Sequence, residues 1–204
     1  MPDSKKYDKI LDSLQQLLEE KNIQNISVSE IASNAGMGKG SIYYYFPSKN
    51  AIFEALIKRS YEKPLQIAKL LATQSDVSPF TRMAMLFQAC RNSSSAFLKQ
   101  NTATQNSSVQ DQAFLHQKYL NYLISELKPD LAEIIKQGID NGEIHFDYPE
   151  ALSEIVLIVI AIKLDNLFMP STQEEIENTL KGLISLLERG TGIPNGTLSY
   201  LSLI

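Results

Sequence analysis

SVSEIASNAGMGKGSIYYYFPSKNAIFEAL, running from Ser27 to Leu56, reads as two short helices joined by a glycine turn, with a third helix following at once. Ser27 is an oxygen-bearing N-cap, and Glu30 stands three residues on, which completes an S-x-x-E capping box. Ile31, Ala32 and Ala35 supply a small apolar face. Gly36 then stops the helix, because glycine takes the left-handed conformation at the C′ position without a Cβ clash. The second helix is expected over Lys39 to Phe46. Pro47 ends it, since proline disfavours the helical region for the residue before it. Ser48 can cap the third helix, which starts at Lys49.

The spacing narrows this to a helix-turn-helix. That motif needs a small residue where the two helices cross, a residue tolerant of positive φ in the turn, and an apolar anchor in the second helix. Ala32, Gly36 and Ile42 fill these places at offsets of four and six. An ordinary helical hairpin could share Ala and Gly at these offsets, so the exposed chemistry carries the distinction. Tyr43, Tyr44 and Tyr45 follow one another and fan over roughly 200° of the helix, too wide an arc for all three to be buried. On a helix that enters the major groove, phenol hydroxyls donate to phosphates, and the rings pack on sugars and thymine methyls. Lys39 and Lys49 flank the tyrosines with positive charge, and Lys49 stands at a helix N-terminus, which favours a phosphate.

The stretch resembles the DNA-binding domain of the TetR family of bacterial transcriptional regulators. The family pattern is an I-A-x-x-A-G helix and turn, a short helix ending in aromatic-x-x-Phe, and a small-residue–Lys pair. Ile31, Ala32, Ala35, Gly36, Tyr43, Phe46, Ser48 and Lys49 match it, and the resemblance covers about residues 7–60. It implies a sequence-specific regulator that binds a pseudo-palindromic operator in double-stranded DNA as a two-fold homodimer. It also implies repression relieved by a small-molecule effector. The candidate DNA contacts are Ser27, Lys39, Ser41, Tyr43, Tyr44, Tyr45 and Lys49. Ser41, Tyr43 and Tyr44 are expected at bases or the groove wall. Tyr45 and Lys49 are expected at phosphates, as the resembling positions are in the family. Lys39 suits guanine or phosphate. Two other readings stay open: a constitutive DNA-binding regulator without a ligand, and a helix-turn-helix adaptor acting through protein contacts.

Composition agrees with an all-α, globular, non-membrane protein. Of the 204 residues, 44% are apolar, enough for a sizeable core. The N-terminus has no apolar signal-peptide core, and the longest apolar run, the eight residues Ile155–Ile162, is too short to span a bilayer. The single Cys90 excludes an intrachain disulfide. The expected location is the cytoplasm. The net charge of −4 is unevenly spread: residues 1–60 hold eight Lys/Arg and seven Asp/Glu, whereas residues 61–204 hold eleven and sixteen. A slightly basic reader on an acidic body fits that asymmetry. His116 and His145, the only histidines, have no partners at metal-ligand spacing, and no phosphate-cradling loop or nucleophile elbow occurs. The expectation is therefore no enzyme, no metal and no cofactor.

The remaining pattern divides the chain into a helix-turn-helix domain over 1–48 and a helical ligand-binding and dimerisation domain over 49–204. A first helix is expected from Asp3 or Ser4 to Lys21, with Ile10, Leu11, Leu14, Leu17 and Leu18 as its stripe. Relatives carry a small residue where this chain has Leu14, which suggests looser packing of that helix. The helix from Lys49 to Leu71 contains Pro64, where a kink or break is expected. Further helices are expected from Pro79 to Leu98, Val109 to Leu127, Leu131 to Ile139, Pro149 to Phe168 and Gln173 to Arg189. The apolar run IVLIVIAI is read as helix, because no second strand exists to pair with it. A helix apolar all round needs cover on every side. The last two long helices are therefore expected to form the dimer interface, and the tail from 191 is expected to pack on something. The middle helices carry a surplus of aromatics. Under the resemblance, Phe87, Phe97, Phe114, Tyr119 and Tyr122 are the candidate walls of a pocket for a small apolar or aromatic effector.

Overall fold

The computed structural model describes residues 4–74, 76–102, 109–165 and 170–203. Every regular element among them is helical: α1 (Ser4–Glu20), a 3-10 turn (Ile23–Asn25), α2 (Val28–Asn34), α3 (Lys39–Tyr45), α4 (Lys49–Ala72), α5 (Pro79–Thr102), α6 (Val109–Asp140), α7 (Pro149–Asp165), α8 (Gln173–Thr191) and a second 3-10 turn (Ser199–Leu203). Ile155–Ile162 lies inside α7, as the sequence reading required. No helix among the described residues is long and apolar enough to cross a membrane.

The chain forms two compact units, Met1–Glu62 with Phe97–Tyr119, and Lys63–Ala96 with Leu120–Ile204. Ile52, Phe53 and Leu56 of α4 are buried in the same apolar cluster as α1, α2 and α3.

In the first unit the caps read from sequence are formed. The Ser27 hydroxyl accepts from the Glu30 N–H at 3.2 Å, and the Ser27 N–H donates to the Glu30 carboxylate at 2.8 Å. Gly36 has φ +63°, and the N–H of Met37 donates back to Ala32. Phe46, ahead of Pro47, is extended at φ −135°, ψ 123° and ends α3. The Ser48 hydroxyl accepts from the Ala51 N–H and caps α4. Leu14 is fully buried in the core cluster, so α1 packs closely around the larger side chain.

Two prolines lie inside continuous helices. The backbone stays helical through Pro64, so of the kink or break expected in α4 the break does not occur. The expected helices over Val109–Leu127 and Leu131–Ile139 are likewise a single α6 with Pro129 inside it. A proline costs a helix one N–H bond and crowds the carbonyl four residues back. Here both Pro129 and Ser125 are solvent-exposed, so water can satisfy the freed carbonyl, while Leu123, Leu127 and Leu131 hold the opposite face by burial.

In the second unit, Ile144 packs over Gly138, where an added Cβ would stand 2.6 Å from its Cδ1. A second capping box, Thr172 with Glu175, starts α8, and Gly192 at φ +72° ends it. Past that glycine the tail folds back: Ile193, Leu198 and Leu201 are buried. The Glu188 carboxylate accepts from the N–H groups of Gly196 (2.9 Å) and Leu198 (3.0 Å).

Candidate nucleic-acid interface and effector region

The surface of α3 sorts its side chains cleanly. Ile42 is fully buried and anchors the helix. Lys39 and Ser41 are exposed, as are Tyr43 at 49% and Tyr44 at 74%. Tyr45 is half-buried, packs on the core cluster, and meets the Tyr44 ring edge-on at 5.2 Å. The four residues Lys39, Ser41, Tyr43 and Tyr44 thus present hydroxyls, rings and one ammonium to solvent from a helix fixed on its other side. Ser27 is exposed, with its oxygen engaged as acceptor in the cap.

The scaffold beneath α3 is tied by polar contacts. Asn34 donates to the Ser13 carbonyl at 3.3 Å and to Gln16 at 3.1 Å, joining α2 to α1. Arg59 pairs with Asp12 at 2.8 Å, joining α4 to α1. The Tyr7 and Phe46 rings lie 4.8 Å apart. Glu30 also pairs with Lys21 at 2.8 Å. The hydrogen bond from Lys21, with those from Ser27, holds its carboxyl down at about 2.

Lys49 has a task that sequence reasoning missed. Its side chain is half-buried, and the ammonium donates to the carbonyls of Ile23 (3.0 Å) and Ile26 (2.9 Å), 6.0 Å from the Phe53 ring centre. A cation on the carbonyls that close a helical turn is favourable. Lys49 therefore locks the Ile23–Ile26 plug onto α4, which leaves one N–H for any phosphate. The available signal was the plug itself, since a short connector leaves carbonyls without helical partners.

Of the expected effector residues, Phe87 and Tyr122 belong to the second unit and Tyr119 to the first. Phe87 is buried and lines a small apolar cavity of about 30 Å³ in the second unit, with Met83, Leu131, Ile135, Val156 and Leu201 among its other walls. Tyr119 belongs to the first unit and is fully buried, 5.1 Å from the Tyr61 ring. Burial, with Tyr119 beside it, pushes the Tyr61 phenol up. Tyr122 is half-buried and is not a wall of the cavity. The side chains of Phe97 and Phe114 lie outside the described residues.

Comparison with known proteins bears on both units. The family model described as bacterial regulatory proteins of the tetR family matches residues 10–56, and a tetracyclin repressor-like C-terminal domain matches residues 94–183. The chain belongs to the TetR family.

Curated relatives match over short stretches. The uncharacterized HTH-type transcriptional regulator YvdT of Bacillus subtilis is 42% identical over 53 residues, 26% of this chain and 27% of that protein. EthR of Mycolicibacterium smegmatis, an HTH-type transcriptional regulator, is 46% identical over 48 residues, 24% of this chain and 22% of its own length. The match thus spans about a quarter of these relatives. Among solved structures, RolR in complex with resorcinol superposes with a TM-score of 0.62 at 15% identity, covering 98% of this chain and 93% of RolR. FadR of Bacillus subtilis with stearoyl-CoA gives 0.55 at 20% identity, covering 96% and 97%. At these identities the likeness is one of fold. TetR-family regulators bind DNA and form dimers, and as a class they are not enzymes.

Proposed function

We propose that the protein is a sequence-specific, DNA-binding transcriptional repressor that acts as a homodimer and is released from its operator by a small-molecule effector. The observation that carries the DNA half is the exposed face of α3, Lys39, Ser41, Tyr43 and Tyr44, on a helix anchored by Ile42. Tyrosines left in water on a short helix serve no core, and hydroxyl-bearing rings beside an ammonium suit a groove wall and its phosphates. In the DNA-bound dimer the two α3 helices lie about 34–36 Å apart. Tyr45, Ser27 and the remaining N–H of Lys49 are assigned to the rim of the same interface.

Support for the dimer comes from apolar surface on α7 and α8. Ile155 and Ile158 are exposed at 53% and 38%, and Leu186 at 73%. Such a face wants an identical partner. Sedimentation should show a dimer at micromolar concentration, and Leu186→Lys should convert it to the 22.9 kDa monomer. A wild-type protein that sediments only as monomer removes this part of the reading.

The effector half rests on the family, on the ligands named for RolR and FadR, and on the aromatic set Phe87, Phe97, Phe114, Tyr119 and Tyr122. An effector that weakens DNA affinity 100-fold needs about 2.7 kcal/mol of preference for the DNA-free form. Anisotropy titration of a labelled duplex, with and without resorcinol-sized aromatics and acyl-CoA compounds, tests it. DNA binding untouched by every such compound leaves the constitutive regulator instead.

A further inference from the structure

A second lysine of the first unit is placed beside the helix-turn-helix, and its situation is the reverse of that of Lys49. Lys9 is an exposed residue of α1, next to the fully buried Ile10. The Lys9 carbonyl accepts from the Ser13 hydroxyl at 2.8 Å, and the Ser13 carbonyl accepts from Asn34, the last residue of α2, at 3.3 Å. This relay ties the backbone of Lys9 to the end of α2. The ammonium reaches over the turn that follows: its Nζ stands 3.6 Å from the place where a Cβ on Gly36 would be.

Among the described residues Lys9 has no hydrogen-bond or ion-pair partner. Asp12, three residues on and a neighbour on the helix surface, is taken by Arg59 at 2.8 Å, and Asp8 also lies toward Arg59 at 3.9 Å. The carbonyls at the end of α2 are taken as well. Ile31 accepts from the Ala35 N–H at 2.9 Å, Ala32 from Met37 at 2.8 Å and Ser33 from Gly36 at 3.0 Å. Where the Lys49 ammonium donates to two carbonyls, that of Lys9 keeps three uncommitted donors.

The surface beside this ammonium is clear. From Gly36 to Lys39 the chain is exposed except at Met37, which packs partly buried against the core cluster. A Cβ on Gly38 would meet nothing within 4 Å, and its φ of −73° is open to any residue, so neither packing nor conformation calls for glycine there. The turn thus offers bare main chain with an ammonium at each end, Lys9 over Gly36 and Lys39 opening α3. Glycine allows another backbone to approach closely, and an uncommitted ammonium suits a phosphate.

We propose that Lys9 is a DNA-phosphate contact, holding one strand of the duplex across the α2–α3 turn while α3 lies in the major groove. This assignment rests on α3 as the DNA-reading helix. It gives α1 a phosphate contact that Lys49, committed to the Ile23–Ile26 plug, supplies only in part.

The test is anisotropy of a labelled non-specific duplex, titrated with the full chain at 50, 100 and 200 mM salt. Lys9→Met should bind more weakly, and its plot of log affinity against log salt should be shallower by about one for each subunit on the DNA. For a dimer the loss of affinity is then about tenfold larger at 50 mM than at 200 mM. Lys9→Arg, which keeps the charge, should restore both affinity and slope. Lys136→Met removes the same charge from an exposed site in the second unit, and should leave both near wild type. Lys9→Met should melt within about 2 °C of wild type, because it loses no internal partner. Wild type that binds without salt dependence removes the DNA reading and this contact with it. If wild type binds with a steep slope, any one of four results overturns the Lys9 contact alone: an unchanged slope in Lys9→Met, Lys9→Arg behaving as Lys9→Met does, an equal change in Lys136→Met, or a melting temperature of Lys9→Met several degrees below wild type.

Discussion

The two compact units treat their apolar and aromatic residues in opposite ways. In the first, Ile31, Ile42, Ile52 and Phe53 are fully buried, and among the described residues two exposed aromatics, Tyr43 and Tyr44, stand together on one short helix. In the second, α7 and α8 bury Val156, Leu157, Ile160 and Leu183, yet leave Ile155, Ile158 and Leu186 in solvent, and the core keeps a cavity roofed by the tail. A unit that closes on itself displays what it uses on a partner of different chemistry. A unit with apolar surface to spare is unfinished without a second copy or a ligand.

The largest expected effect tests the contrast between full and incomplete packing. Phe53→Ala should cost ~3–5 kcal/mol in urea unfolding. Phe87→Ala should cost at least ~1 kcal/mol less, because a ring that borders a cavity already lacks partner atoms on one side. Equal losses would erase the difference between the units. Next comes Lys49→Met, which strips the ammonium from two carbonyls and should lower stability by about 1–3 kcal/mol. A side chain that served phosphates alone would leave stability unchanged, so an unaltered unfolding midpoint contradicts the lock described for the plug.

The smallest effect concerns Glu30. Its carboxyl is held at about 2, below its ordinary 4.5, by Lys21 first and Ser27 second. A depressed carboxyl stabilises the fold above its unfolded value and loses that contribution as pH falls through the folded one. The capping box should therefore weaken between about pH 4.5 and pH 2, seen as a Glu30 carboxyl-carbon titration with its midpoint near 2. Lys21→Met should move the midpoint upward. A midpoint at the ordinary value would mean that the box and ion pair do not form in solution.

Sequence legibility follows the same division. The first unit is written in local signals: Ser27 with Glu30, Gly36, Pro47 and Ser48 each act within a few residues, and each is found as read. Lys49 was harder, because its partners stand 26 and 23 residues away, and a lysine at a helix start gives the same local signal whether it meets a phosphate or a carbonyl. In the second unit Pro129 misled, since proline punctuates a helix only where packing does not override it, and Leu123, Leu127 and Leu131 do. The T-x-x-E of Thr172 and Glu175 is a local signal of the same kind, and it forms a capping box. The cavity was not legible, because Met83, Leu131, Val156 and Tyr200 are joined only by tertiary packing.

The central claim, that the exposed face of α3 reads DNA, is tested most directly by fluorescence anisotropy. A labelled duplex with an inverted repeat from the DNA beside the gene is titrated at 50 and 200 mM salt with wild type and with the Tyr43→Ala, Tyr44→Ala double variant. The account predicts tight wild-type binding that falls steeply with salt. It predicts at least about tenfold weaker binding by the double variant, whose melting temperature should stay near that of wild type because both side chains are exposed. Wild-type binding without salt dependence, or a double variant that binds as wild type does, would contradict it.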